Sequence, residues 1–285
     1  GMTVPEEWGG AGLDYVTYAM ALEEIAAGDG AIAIVMSGHN SVGCMPILEY
    51  GSQAQKERYL RPLAQGEMLC AFALTEAKGG SDAGALTTRA VRDADGYVIN
   101  GTKQFITTGK NAELTLVFAV TDPDQGKRGI SAFIVPTNTP GYEVVRVEEK
   151  MGLNASDTAQ LAFTDMRVSH DALLGAEGQG YRIALGNLEG GRIGIAAQAL
   201  GMARAAFEVA LEYAQEREAF GKAIMEHQAV AFRLAEMATQ LEAARQLIWH
   251  AAALRSAGRK CLTEASMAKM ISTDMAEKVC SDAIQ

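Results

Sequence analysis

The chain has 285 residues, 48% of them hydrophobic, enough apolar surface to bury a substantial core in one large domain or two to three smaller ones. Its formal net charge of -10 argues against broad electrostatic binding to nucleic acid or an anionic membrane, so an anionic ligand must be held locally by amide donors and a few placed cations. Cys44, Cys70, Cys261 and Cys280 stand far apart, with no CxxC pair and no histidine at zinc spacing; neither a disulfide framework nor a metal site is suggested, and a reducing cytoplasm or organelle matrix fits best.

The opening Gly1-Met2-Thr3-Val4-Pro5-Glu6-Glu7 has no basic-then-apolar signal segment, and no apolar run reads as long enough to span a bilayer, so a soluble protein is expected. From Asp14, a plausible N-cap, to about Gln65 the apolar spacing is helical, with a Gly/Ser/Asn interruption at Ser37 to Gly43 and a new helix starting at Gly51-Ser52. Residues 1–68 are expected to form a partial N-terminal helical domain.

Between Leu69 and Val168 short apolar runs alternate with turn formers. Tyr97-Val98-Ile99 lies between Asp95-Gly96 and Asn100-Gly101, followed by Leu114 to Val120, Ile130 to Val135, Tyr142 to Val147 and Gln160 to Phe163. Asp-Gly and Asn-Gly suit tight hairpins, which predicts an antiparallel β-barrel domain over residues 69–170. Residues 171–285 are rich in Ala, Leu, Met, Glu and Arg at helical spacing. They predict an antiparallel bundle of helices near Tyr181 to Arg217, Glu226 to Ala257 and Thr263 onward, with breaks at Gly221 and Gly258 and Thr263 as a cap. The fold class expected is α+β, multidomain.

Two stretches could carry chemistry. Phe72-Ala73-Leu74-Thr75-Glu76-Ala77-Lys78-Gly79-Gly80-Ser81-Asp82 leads from a strand into a turn where Gly79 and Gly80 remove side-chain obstruction; taken alone it is also an ordinary Ser/Asp turn. Gly101 to Gly109 sets Phe105 two residues from Thr107 on one strand face, able to flank a planar cofactor or simply to contribute one core aromatic. His39, His170, His227 and His250 are scattered and read as surface or satisfied core residues.

Order and spacing add a resemblance over essentially the whole chain. Val4-Pro5-Glu6-Glu7-Trp8-Gly9-Gly10, Gly51 to Glu67, the Thr75 turn, the Phe105 strand, Met151-Gly152-Leu153-Asn154-Ala155-Ser156-Asp157-Thr158, Gly191-Arg192-Ile193-Gly194 and Arg217-Glu218-Ala219-Phe220-Gly221-Lys222 with His227-Gln228 resemble acyl-CoA dehydrogenase motifs in that family's order, nearest the short-chain or butyryl-CoA type. The resemblance implies FAD held between the β domain and the bundle. Phe72, Leu74 and Thr75 would border the flavin on one side, Phe105, Ile106 and Thr107 on the other, with Thr107 near N5. Gly80 and Ser81 would meet flavin phosphate and the thioester end of CoA. Arg217 and Phe220, with Gln228 nearby, would reach a neighbouring subunit's FAD pyrophosphate in a homodimer or homotetramer. Glu189 and Arg192 would contact CoA, an i to i+3 ion pair between them being the structural alternative. Ala77-Lys78-Gly79-Gly80 departs from the usual Pro-Gly-x-Gly, and Phe105 replaces a frequent Trp.

The implied reaction converts a short- or medium-chain acyl-CoA to the trans-2-enoyl form, with electrons passed to an electron-transferring flavoprotein. An acyl-CoA oxidase using dioxygen, or a binding fragment without turnover, are the alternatives. The glutamate base of most family members would lie beyond Gln285, which reads the chain as an interior fragment. A minority of members place the base at the position of Gly191, so Glu189, one helical turn before Arg192, is the remaining substitute. No metal is implied. The compartment would be bacterial cytoplasm or mitochondrial matrix.

Overall fold

The computed structural model describes Gly1–Gln285. In chain order its helices are α1 (Tyr15–Gly28), α2 (Gly30–Gly38), α3 (Met45–Tyr50), α4 (Gln53–Gln55), α5 (Arg61–Gln65), α6 (Gly180–Glu216), α7 (Gln228–Ser256) and α8 (Leu262–Ile284). Its strands are β1 (Cys70–Ala73), β2 (Arg89–Arg92), β3 (Gly96–Thr107), β4 (Leu114–Val120), β5 (Ile130–Pro136), β6 (Tyr142–Val147), β7 (Thr158–Ser169), β8 (Leu173–Leu174), β9 (Glu218–Ala219) and β10 (Lys222–Ala223). The chain divides into two compact units: a sheet unit of Gly1–Leu13 with Gly38–Leu188, and a bundle unit of Asp14–Ser37 with Glu189–Gln285.

In the sheet unit eight strands run in the order β6-β7-β3-β2-β4-β5-β8, with β1 also on β4. Pairing is antiparallel except that β1 and β2 lie parallel to β4. Every residue of β4 is buried because its two faces feed two cores, Leu116 and Phe118 one, Val117 and Ala119 the other. The Asp95-Gly96 turn joins β2 to β3 as expected, with Asp93 N–H donating to Gly96 O over 3.0 Å. Asn100-Gly101 does not turn the chain. β3 passes straight through it on a bulge, and a side chain at Gly101 would collide with Thr88, its Cβ 2.7 Å from that residue's Cα. Strand β2 has only Ala90 buried, too little apolar alternation to be read from sequence.

The expected interruption at Ser37 to Gly43 is also corrected. His39–Cys44 forms a π-helical turn that carries α2 into α3. Weak helix formers are tolerated there because the turn is buried and its polar groups are satisfied: His39 Nε2 lies 2.8 Å from Leu63 O, and Cys70 N–H donates to Nδ1 over 3.4 Å. Burial, the larger influence, lowers the His39 pKa. His39 is thus the satisfied core histidine anticipated.

In the bundle unit Asp14 caps α1 by accepting from Thr17 N–H over 2.7 Å. A Cβ at Gly201 would lie 2.2 Å from Glu23 O, so glycine is what lets α6 approach α1 so closely. Glu23, nearly inaccessible, accepts from Arg245 over 2.9 Å, while Arg204 grips Glu24 with two bonds of 2.7 Å. The last helix begins at Leu262 with Cys261 at the cap position, so Thr263 is not the cap. A further correction concerns apolar length: Gly30–Tyr50 and Gly180–Glu216 are long and apolar enough to cross a membrane, though an 18-residue stretch of each is 61% and 44% buried inside the protein. Core helices of a folded protein pass the same test.

Candidate functional site

The strongest local constraint in the sheet unit is an ion pair that the sequence does not advertise. Lys103, fully buried on β3, donates to Glu76 Oε1 over 2.8 Å and to Leu74 O over 3.0 Å. Glu76 also accepts from Thr87 N–H over 2.6 Å and Thr88 N–H over 3.1 Å. Burial opposes the charge on Glu76, but Lys103 and these donors outweigh it and hold the carboxyl down at about 2. Burial is also the larger influence on Lys103, drawing its ammonium to about 8 against the pull of Glu76. A lysine of alternating strand pattern reads as a solvated side chain, so only its pairing across 27 residues could have revealed it.

This pair sets the Thr75 turn against the Phe105 strand. Gln104 N–H donates to Thr75 O over 2.9 Å, and Glu76 and Gly79 exchange backbone bonds of 3.0 and 3.1 Å that close the turn. Between Lys103 and Ile106 the β3–β7 ladder bulges, and Phe105 takes φ 58°. That left-handed backbone turns the Phe105 ring outward, 59% exposed. Thr107 and Thr75 are half-buried, and Gly80 and Ser81 are exposed, with no atom within 4 Å of a Cβ built on Gly80. Three expected residues point elsewhere. The Ile106 side chain is in the core, Leu74 is buried with its carbonyl taken by Lys103, and Phe72 packs on Phe118 at 4.7 Å between ring centroids.

Asp157 joins the Met151 to Thr158 motif to the same place. Its carbonyl accepts from Thr108 N–H over 3.0 Å, and its carboxylate accepts from Lys110 N–H and Asn111 Nδ2, each over 2.8 Å. Thr107 and Thr158 are register partners. Motifs separated along the chain therefore converge on one rim of the sheet unit.

In the bundle unit Arg217, Phe220 and Gln228 gather at the β9–β10 hairpin and the start of α7, all exposed. Phe220-Gly221 forms the two-residue turn, with φ 55° and 81°. Phe220 is 97% exposed, touching the His227 ring edge-on at 5.9 Å. His227 Nε2 in turn lies 3.0 Å from Ala219 O. Glu189 and Arg192 lie on α6 but do not pair. Glu189 Oε1 accepts from Arg255 Nη1 over 3.2 Å and from Cys261 Sγ over 3.1 Å.

A cavity of about 640 Å³ in the sheet unit, lined by Arg58, Arg167 and His170 among others, includes none of the expected site residues. The same is true of an apolar groove of about 680 Å³ in the bundle unit, between α6, α7 and the end of α8.

Comparison with known proteins matches the acyl-CoA dehydrogenase N-terminal domain to residues 1–67, the middle domain to 71–166 and the C-terminal domain to 178–285. An acyl-CoA dehydrogenase of Bacillus subtilis is 50% identical over 285 residues, all of this chain and 75% of that protein. The solved butyryl-CoA dehydrogenase of Megasphaera elsdenii superposes with a TM-score of 0.98 at 43% identity, over 100% of this chain and 76% of that one. A chain solved in work on the electron transferring flavoprotein of Acidaminococcus fermentans gives a TM-score of 0.98 at 47% identity, over 100% of this chain and 75% of that one. Half of its residues shared across its whole length, and the same fold over three quarters of solved relatives, mean that the chain belongs to the acyl-CoA dehydrogenase family.

Proposed function

We propose that this chain binds FAD and a short- or medium-chain acyl-CoA for α,β-dehydrogenation to the trans-2-enoyl-CoA, with electrons leaving to an electron-transferring flavoprotein. The observation that carries this reading is Phe105: an aromatic ring held outward in a strained conformation, beside Thr75 and Thr107, over a buried ion pair. The residues present fit FAD. They offer a flat exposed ring, hydroxyls at Thr75, Thr107 and Ser81, and open space at Gly80 for a phosphate.

In this reading Thr75 borders the flavin on one side and Phe105 and Thr107 on the other, with Phe72, Leu74 and Ile106 behind them. Phe72 is half-buried against Phe118, and Leu74 and Ile106 have their side chains in the core, with the carbonyls of these two held by Lys103 and Gly109. Arg217, Phe220 and Gln228 hold the pyrophosphate of a neighbouring subunit's FAD, in a homodimer or homotetramer; a fully exposed phenylalanine at a hairpin tip suits burial against a second copy. Ser81 meets the thioester end of CoA, and Glu189 and Arg192 contact the CoA carrier. When bound, the flavin supplies the two-electron acceptor. Thr75 and Thr107 orient it by hydrogen bonds, and the Lys103–Glu76 pair fixes the turn that carries one to the strand that carries the other. Arg255 and Cys261 hold Glu189 through Oε1, and its Oε2 is directed to the CoA carrier, so the α-proton passes to a carboxylate other than Glu189. We assign the three domains to residues 1–68, 69–170 and 171–285, and the compartment to bacterial cytoplasm or mitochondrial matrix.

The test is an anaerobic titration of the FAD-loaded chain with butyryl-CoA, following the flavin absorbance. Bleaching of the oxidised band supports dehydrogenation by these residues. A flavin that stays oxidised while butyryl-CoA binds supports binding without turnover, and stoichiometric hydrogen peroxide in air supports the oxidase.

A further inference from the structure

Glu189 presents a physical difficulty. A carboxylate assigned to the CoA carrier must accept an N–H from a ligand that itself bears several phosphate charges, so an unneutralised carboxylate repels what it is meant to hold. The bundle unit contains an answer on three elements besides α6. Arg255, in the last turn of α7, donates Nη1 to Glu189 Oε1 over 3.2 Å. Cys261, fully buried at the start of α8, donates its thiol to the same oxygen over 3.1 Å. The Arg255 guanidinium lies 4.8 Å from the centre of the Tyr15 ring on α1. Tyr15 is itself tied to the end of α7, its N–H donating to Ser256 Oγ over 3.0 Å.

Both donors use Oε1. Oε2 accepts no bond within the chain and is not sealed from solvent, so it is the oxygen left for a ligand. Arg255 and Glu189 are only 17% and 22% exposed, which keeps their attraction from being diluted as at a free surface. Gly190 supplies the room: a Cβ there would lie 3.3 Å from both Arg255 Nε and Tyr15 Oη, closer than the pair could accept without shifting.

We propose that Arg255, stacked on Tyr15 and helped by Cys261, is a positioning residue that neutralises Glu189 and aims its Oε2 at an N–H donor of the CoA carrier. This rests on the assignment of Glu189 to CoA made above. The carboxylate then contributes direction to the carrier without adding repulsion, and the effect belongs to the carrier rather than to the acyl chain.

The test is calorimetric binding of butyryl-CoA and of S-butyryl-N-acetylcysteamine, which lacks the phosphates and most of the carrier, to the FAD-loaded protein. Glu189→Gln and Arg255→Gln should each weaken butyryl-CoA roughly tenfold, as expected for loss of a charge-assisted hydrogen bond. The double variant should be no weaker than either single, Arg255→Lys should recover most of the loss, and none should alter the truncated thioester. Tyr15→Leu, which keeps both charges, should give a smaller loss with the same selectivity and serves if Arg255→Gln does not fold. Glu189→Gln weakening butyryl-CoA while Arg255→Gln binds normally overturns the positioning role alone. Losses shared equally by both ligands, or adding in the double variant, overturn it as well by reducing Arg255 to a structural part. Normal binding by Glu189→Gln overturns the assignment of Glu189 to CoA, and the positioning role with it.

Discussion

Two phenylalanines, Phe105 and Phe220, sit in left-handed backbone and face outward, at 59% and 97% exposure. Such a conformation costs an L-residue about 1–2 kcal/mol, and an exposed ring recovers little of it from burial in the isolated chain. At Phe220 the two-residue turn itself requires the positive φ, whereas at Phe105, on a bulge within β3, the strain serves the proposed flavin contact. Phe105→Gly should leave the apo protein as stable as before, or more stable by up to about 1 kcal/mol, while weakening FAD roughly tenfold through loss of ring contact. Thermal melts without FAD and fluorescence titration with FAD check the two halves separately; a large loss of apo stability would make Phe105 a core residue after all. Glu76 makes the opposite case, a polar residue that the fold needs. Its folded pKa of about 2 lies below the usual 4.5, so its contribution is complete above pH 4.5 and lost as pH falls toward 2. That shift corresponds to about 3 kcal/mol. Denaturant titrations at pH 7 and pH 3 should show about 2 kcal/mol of this loss in the native chain, the rest lying below pH 3, and a smaller loss in Glu76→Gln, whose stability at pH 7 is already reduced.

At the scale of elements, the buried ion pairs decide how strands and helices meet. Lys103 joins β3 to the Thr75 turn, and Glu23 on α1 receives Arg245 from α7. Removing one partner strands the other charge, so Lys103→Met should cost about 3–5 kcal/mol, and Lys103→Met with Glu76→Leu should recover much of it. Denaturant midpoints of the three variants decide this; a double variant worse than the single would mean the pair is needed for more than mutual neutralisation. The same elements explain what the sequence revealed. Long periodic helices such as α7 and the apolar run of β4 were legible because burial writes their period directly. The π-helical turn at His39 was not, since Gly, Ser and Asn signal a break unless their side chains find partners elsewhere in the fold. Asn100-Gly101 carried the right signal for a turn and yielded a bulge, because β7 continues opposite it and keeps the ladder paired. Within the site, the motifs named Phe105, Thr75 and Ser81 by their order along the chain. The Lys103–Glu76 pair and the Arg255 contact to Glu189 stayed hidden, because nothing local in sequence says that a cation will be enclosed with a distant acid.

The whole molecule carries a net charge of -10, while the ligands proposed for it are polyanions. Its distant field repels FAD and acyl-CoA, whereas in the proposed site Arg217, Arg192 and the amides near Gly80 would hold them at close range. These two effects separate by their response to salt. Screening lengths shrink from about 30 Å at 0.01 M to about 8 Å at 0.15 M, which suppresses long-range repulsion before it weakens contacts at hydrogen-bond distance. Stopped-flow binding of butyryl-CoA should therefore show an association rate that rises over this range, with a dissociation rate that rises less. An association rate that falls with salt would mean that the local cations dominate the approach as well as the contact, and that the acidic balance of the chain is carried on faces the ligand never meets.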